Sequence, residues 1–237
     1  MKNQLKVILA TLAVTSLSLS AQAANIATWT FETVTAPTGG SAAYPNPIAA
    51  DIGSGNATGV HASASTVWST PVGNGSAKSF SSTNWSVGDY YQFNVSTTGY
   101  TGITLAWDQA GSNTGPRDFT LSYSTDGISF TNFANYSVLA NAAPNATWSS
   151  TTAHSEYSLT QDLSSVSALN NQAQLYFRLT DRSTVSANGG AVGTGGTDRV
   201  DNFSVSGVAA VPVPAAAWLM GSSLLGLAGI ARKRRNA

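Results

Sequence analysis

The chain has 237 residues, 9% of them charged, a formal net charge of zero and no cysteine. That length allows one large domain or two small ones, and the absent cysteines exclude disulfides, thiolate metal sites and a cysteine nucleophile. The zero is a cancellation: Lys2, Lys6 and the run Arg232, Lys233, Arg234 and Arg235 are basic ends, while between 24 and 207 five basic residues face eleven acidic ones, a net of −6. A body of that sign lacks the basic footprint that phosphate neutralisation requires, which excludes nucleic acid as its partner.

In chain order, residues 1–23 carry the three parts of a secretory signal. Lys2 and Lys6 precede an apolar run from Val7 to Val14, and Ala21-Gln22-Ala23 supplies the small residues of a signal peptidase site before Ala24. The expected partners of this end are the secretion machinery and signal peptidase.

From 24 to 207 the recurring pattern is period-two alternation broken by Gly, Asn, Asp and Ser, which predicts strands. Residues 35–65, rich in Gly, Ala, Ser and Pro, read as a long loop. Tyr91, Phe93 and Val95 share one face of a strand. So do Ile103, Leu105 and Trp107, then Phe119, Leu121 and Tyr123, then Leu175, Phe177 and Leu179. Asp126-Gly127 predicts a hairpin turn between the strand at 119–123 and one at 128–133. A short helical turn is predicted at 163–169, ending before Asn170-Asn171, and 188–197 reads as a Gly-rich loop with no Lys or helix to make it a phosphate loop. Seven to ten short half-buried strands predict an all-β fold, an antiparallel β-sandwich of the jelly-roll kind, in a single domain spanning 24–207.

Several side chains in this body invite a functional reading. On a regular strand Asp201 shares the inward face of Phe203 and Val205, and a buried carboxylate needs a cation or several donors. Oxygen-only ligation suits a structural Ca²⁺ held by Glu32 and Asp201, with Asp198 as a further ligand. The simpler alternative is a salt bridge from Asp201 to Arg199 or Arg178, or exposure through a bulge. No cofactor is otherwise required. Trp68, Trp85 and Trp148, with Tyr90, Tyr100 and Tyr136, fall in loops or at strand edges, where aromatic rings either stack on sugars or plug the end of a sandwich. His61 and His154 are the only histidines. No Gly-x-Ser-x-Gly elbow accompanies them, and His154 with Glu156 reads as a surface pair, so no catalytic residue is assigned.

Residues 208–237 close the chain with an uncharged, mainly apolar stretch to Ala231, long enough for the roughly 20 residues of a membrane helix. Arg232, Lys233, Arg234 and Arg235 follow at once and would stay on the cytoplasmic side. Val211-Pro212-Val213-Pro214, then Ala215 to Gly221 with Trp218, then Leu224-Leu225-Gly226-Leu227-Ala228-Gly229 and the basic cluster resemble the PEP-CTERM protein-sorting domain. The likeness covers about the last 25 residues and departs from the name-giving pattern at Val213, where Glu is usual. It implies recognition by an exosortase, removal of the tail near Pro212 and Pro214, and an inner-membrane-anchored precursor that reaches the surface or extracellular matrix of a Gram-negative, exopolysaccharide-making bacterium. A second likeness rests on Thr28-Trp29-Thr30-Phe31-Glu32, on residues 119–127, on Leu175-Tyr176-Phe177-Arg178 and on residues 199–205, which are similar to galactose-binding-like jelly rolls. It implies a sandwich used for adhesion or biofilm structure, or as a carbohydrate-binding module docking on exopolysaccharide.

Overall fold

Alternation along Tyr90–Val95 buries Tyr91, Phe93 and Val95 and turns Tyr90, Gln92 and Asn94 to the other side. The same half-buried pattern recurs through the computed structural model, which describes residues 23–210. In chain order the strands are β1 (Ala23–Trp29), β2 (Ile48–Ala49), β3 (Ile52–Gly53), β4 (Gly55–Val60), β5 (Trp68–Ser69), β6 (Phe80–Ser82) and β7 (Tyr90–Val95). They continue with β8 (Tyr100–Gly111), β9 (Asp118–Ser124), β10 (Thr131–Ser137), β11 (Leu139–Ala140), β12 (Ser158–Asp162), β13 (Leu175–Asp181) and β14 (Asp198–Ala209). Residues 1–22 and 211–237 lie outside the described residues, and with them most of the signal segment and of the sorting tail, including Ala21, Pro212, Val213, Pro214 and the basic run from Arg232 to Arg235; Ala23 and Ala24 fall in β1, and residues 208–209 in β14. Among the described residues no helix is long and apolar enough to cross a membrane.

The strands form two sheets packed face to face. One runs β11-β8-β14-β1-β3, with β12 also on β8 and the β5-β6 pair on the first residues of β14. The other runs β10-β9-β13-β7-β4-β2. Pairing is antiparallel throughout except for the short parallel contact of β11 with β8. Strands β7, β8 and β9 alternate between sheets, as do β13 and β14, and the first and last strands lie side by side, Trp29 opposite Phe203. This is an antiparallel β-sandwich with a jelly-roll path, as the alternation predicts.

Its centre is aromatic. Phe93 and Phe203, from opposite sheets, stack at 3.5 Å and 3°, and Trp29 meets them edge-on at 5.3 and 5.9 Å. The four predicted inward sets all join this core except Tyr123, which is half-buried.

Three local readings change. The 35–65 stretch contains β4, paired along its whole length with β7. Its inward positions are Ala57 and Gly59, and a Cβ on Gly59 would lie 2.3 Å from the Trp68 ring. The strand is built of small residues because a tryptophan occupies the space in front of it, which erases the apolar alternation that would reveal it. The Asp126-Gly127 connection is longer than a tight turn, with β9 ending at Ser124 and β10 starting at Thr131. The Asp126 carboxylate closes it by accepting the N–H groups of Ile128 and Ser129, both at 2.8 Å, while Gly127 takes φ +73°. The predicted helical turn narrows to a 3₁₀ turn at Ser167–Leu169.

Candidate functional site

A polar chain crosses one end of the sandwich. His61 follows β4, Ser82 ends β6 and Asp89 precedes β7. The Asp89 carboxylate accepts the N–H of Ala62 and of Ser86, each at 2.7 Å, and lies 3.1 Å from His61 Nδ1. A proton on Nδ1 then directs Nε2 at the Ser82 hydroxyl, 3.1 Å away. Ser82 Oγ is 3.3 Å from the Tyr91 hydroxyl, which donates to the Asp198 carbonyl at 2.8 Å.

The order acid, imidazole, hydroxyl is that of a hydrolytic triad. Access decides against that use. Ser82 is 0% exposed, His61 4% and Asp89 3%, and the imidazole is packed between Trp68 at 5.0 Å and Trp85 at 4.3 Å. Trp85 Nε1 donates to the Ser82 carbonyl at 3.0 Å and seals the hydroxyl from solvent. The chain ties β4, β6 and β7 together, satisfying buried polar groups that would otherwise cost stability. Sequence reading missed the trio because no local spacing marks residues that meet only through three strands. A fluorophosphonate probe is expected to leave Ser82 unlabelled in the folded protein, read by intact-mass spectrometry; an adduct on Ser82 would reopen the catalytic reading. The other histidine is held by its backbone: Asn74 Oδ1 accepts the His154 N–H at 2.7 Å and Asn74 Nδ2 donates to its carbonyl at 3.1 Å. Among the described residues the ion pairs are His61–Asp89 and Arg117–Asp118, so the predicted His154–Glu156 pair does not form.

The three tryptophans singled out for sugar stacking are buried: Trp68 is 1% exposed, Trp85 6% and Trp148 3%. Trp68 stacks on Phe80 at 5.3 Å and donates its Nε1 to the Ser41 carbonyl. Trp85 edges a hollow of about 300 Å³ shared with Val87, Asp181, Ser183 and Val192, but its ring is spent on His61, Tyr91 and Phe119. Trp148 packs on Tyr157 at 5.8 Å and lies under the Arg199 guanidinium at 5.3 Å. Trp68 and Trp85 are part of the main core, and Trp148 forms a separate small cluster with Ala110 and Tyr157.

The expected calcium ligands also separate. Among the described residues no three His, Cys, Asp or Glu side chains gather as a metal-binding set. Glu32 accepts the Lys78 N–H at 3.0 Å. Asp201 is buried, though not on the face expected. Val200 and Phe203 both belong to the core, and a bulge between Asp201 and Ser204, with Asn202 at φ +50°, turns Asp201 to the outer face of its sheet. There its carboxylate accepts Asn74 N–H at 2.9 Å, Ser76 Oγ at 2.6 Å and Asn202 N–H at 2.8 Å. Neither arginine pairs with it; Arg199 donates to the Val72 carbonyl at 2.8 Å. Asp198 faces the core, where Gln109 Nε2 donates to Oδ1 at 3.0 Å and Oδ2 has no partner. Burial pushes the Asp201 carboxyl up to about 6 and that of Asp198 well above the ordinary range. Asp181, its Oδ2 likewise unpartnered, is raised to about 6 by burial, then by Asp89 and Asp118.

An open polar surface lies on the outer face of the second sheet. Register aligns Asn56, Asn94 and Tyr176 in one row and Thr58, Gln92 and Arg178 in the next, across β4, β7 and β13. With Pro47, the residues Asn56, Thr58, Gln92, Asn94 and Tyr176 line a cleft of about 220 Å³.

No family model and no curated protein matches the chain. Among solved structures it is similar to a cleaved adhesin domain of Lys-gingipain from Porphyromonas gingivalis, at 14% identity over 78% of this chain and 97% of that one, TM-score 0.39. It is also similar to TmCBM61 in complex with β-1,4-galactotriose, at 8% identity over 63% and 85%, TM-score 0.33. A third is the Clostridium thermocellum endo-1,4-β-D-xylanase 10B chain complexed with xylohexaose, at 12% identity over 63% and 26%, TM-score 0.38. At these identities and scores the likenesses assign neither ligand nor activity to this chain.

Proposed function

We propose that the chain is an exported, exosortase-sorted envelope or extracellular-matrix protein whose sandwich is a non-catalytic adhesive body, structural in an exopolysaccharide or biofilm. The observation that carries this reading is the order of features at the C-terminus: Pro212-Val213-Pro214, an uncharged apolar stretch, then Arg232, Lys233, Arg234 and Arg235. An apolar stretch of that length abutting four cations favours insertion with the basic end inside. The signal-like residues 1–23, with Ala21 and Ala23 before Ala24, support export of everything between. The absence of cysteine leaves stability to packing, which the aromatic core supplies.

Mass spectrometry of the protein from wild-type and exosortase-deficient cells tests the proposal. The expected mature form begins at Ala24, ends near Pro214 and is found at the surface or in the matrix. In deficient cells the tail is expected to persist in the membrane fraction. Full-length protein with both ends intact in the cytosol would overturn the reading.

A second reading, a carbohydrate-binding module docking on exopolysaccharide, is favoured by the polar cleft on the outer face of the second sheet. It places no weight on Trp68, Trp85 or Trp148.

A further inference from the structure

We infer that this cleft, on β4, β7 and β13, is the binding site for a neutral polysaccharide chain. The inference rests on the adhesive reading above and gives it a ligand class and an address. Outward positions on adjacent strands are about 5 Å apart, and successive outward positions on one strand about 7 Å apart. The two rows therefore present a flat grid of polar groups on the scale over which the hydroxyls of neighbouring sugar units are spread.

The grid is oriented before any ligand arrives. Asn94 Oδ1 accepts the backbone N–H of Asn56 at 2.9 Å, and Gln92 Oε1 accepts Arg178 Nε at 2.8 Å. Both of those donors can only donate, so each amide oxygen is committed, and each NH₂ is left unused by those bonds at the cleft that both residues line. Two fixed donors on β7 thus stand beside the Asn56 amide and Thr58 hydroxyl on β4, which can give or accept. Preorganisation of this kind lowers the entropic cost of holding a flexible, weakly bound polymer.

The third strand supplies the apolar component. Tyr176 lines the cleft, its hydroxyl donates to Gln174, and Gly127 packs against its ring so closely that a Cβ there would lie 3.1 Å away. A ring backed and tethered in this way offers rigid apolar area to the C–H face of a sugar. The absence of a Cβ at Gly127 is what permits this approach.

Charge selects among polymers. Of the six grid positions one is charged: Arg178, whose Nε is held by Gln92 and whose guanidinium lies 3.9 Å from the centroid of the Tyr90 ring and 3.7 Å from that of Phe130. No carboxylate occupies any of the six grid positions, and the body between 24 and 207 carries a net charge of −6. An anionic polymer is repelled at long range by the net charge of the body. A neutral, hydroxyl-rich chain offers both donors and acceptors to the amides and the hydroxyl of the grid.

Affinity electrophoresis of the full chain in mild detergent, in native gels containing a β-glucan, a galactomannan, a dextran or alginate, tests this. At least one neutral polymer is expected to retard the protein, and alginate is not. Gln92→Glu and Asn94→Asp keep the oxygens that hold Arg178 and Asn56 but remove the outward donors, so each is expected to weaken retardation about tenfold with an unchanged melting temperature. Tyr176→Ala is expected to weaken it more. Retardation by no neutral polymer, stronger retardation by alginate, or binding that survives all three substitutions would overturn the site. None of those results bears on the mature termini, so a correctly sorted protein that fails here loses only this inference. A cytosolic full-length protein loses the reading beneath it.

Discussion

Trp29→Ala is expected to remove about 3–5 kcal/mol of stability, the range for deleting a fully buried tryptophan, and more if the surroundings fail to collapse. Trp29 is 0% exposed at the end of β1 and touches the two stacked rings, Phe93 and Phe203, that join the sheets. Its Nε1 donates to the Ile48 carbonyl at 3.0 Å, so truncation also leaves a buried acceptor without its partner. The cavity cannot close easily. Gly55 approaches the indole so nearly that a Cβ would lie 2.9 Å from its Cζ2, and β4 has no side chain there to move inward. Trp29→Phe keeps most of the volume and should cost less than half as much. For a domain whose total stability is of order 5–15 kcal/mol, the alanine variant should melt about 10 °C or more below the wild type, measured by circular dichroism or calorimetry. A drop of only a degree or two would mean that the aromatic centre does not hold the sheets together.

The folded protein should be more stable near pH 5 than at pH 8, the reverse of the usual consequence of paired surface carboxylates. Asp181 and Asp201 rise from 3.8 to about 6 on folding, and Asp198 rises further, each chiefly by burial. Above 3.8 the unfolded chain releases these protons while the folded chain keeps them, so stability falls as pH climbs through the folded values. A rise of that size corresponds to about 3 kcal/mol each for Asp181 and Asp201 when fully expressed. Asp118 and Asp126 act in the opposite sense. The Arg117 guanidinium holds Asp118 well below the ordinary range, and the Ile128 N–H leads the donors that lower Asp126 to about 2. Their contribution is complete above about pH 4 and is lost only on further acidification, which places the maximum between the two groups. Asp198→Asn should flatten the alkaline limb and raise the melting temperature at pH 8, because an amide keeps the shape without the charge. A melting temperature that holds level or increases from pH 5 to pH 8 would contradict the burial of these acids.

The two results bear on different layers of the same molecule. Inward residues such as Phe93, Leu121 and Phe177 were legible as core because each alternates with polar neighbours along its strand. Strand β4 was not, since its inward positions are Ala57 and Gly59 and its partner residue Trp68 is distant in sequence. Asp201 shows the limit of counting by twos: it was expected inside with Phe203, and a single bulged residue moved it to the other face. The carboxylate is buried either way, and a loop at 74–76 supplies donors to it.

Composition and order along the chain were enough to set the strand-forming regions, the polar uncharged character of the body and the expectation of two targeting ends, because each depends on neighbours in sequence. Only the tertiary structure decided that Trp68, Trp85 and Trp148 are buried, that Ser82, His61 and Asp89 meet in a sealed chain, and that Asn56, Gln92, Asn94 and Tyr176 share an open face. Those outcomes depend on which strands become neighbours and in what register, and a hydrogen bond or a stacked ring between residues 30 or 120 positions apart leaves no periodic mark on the segments that form it.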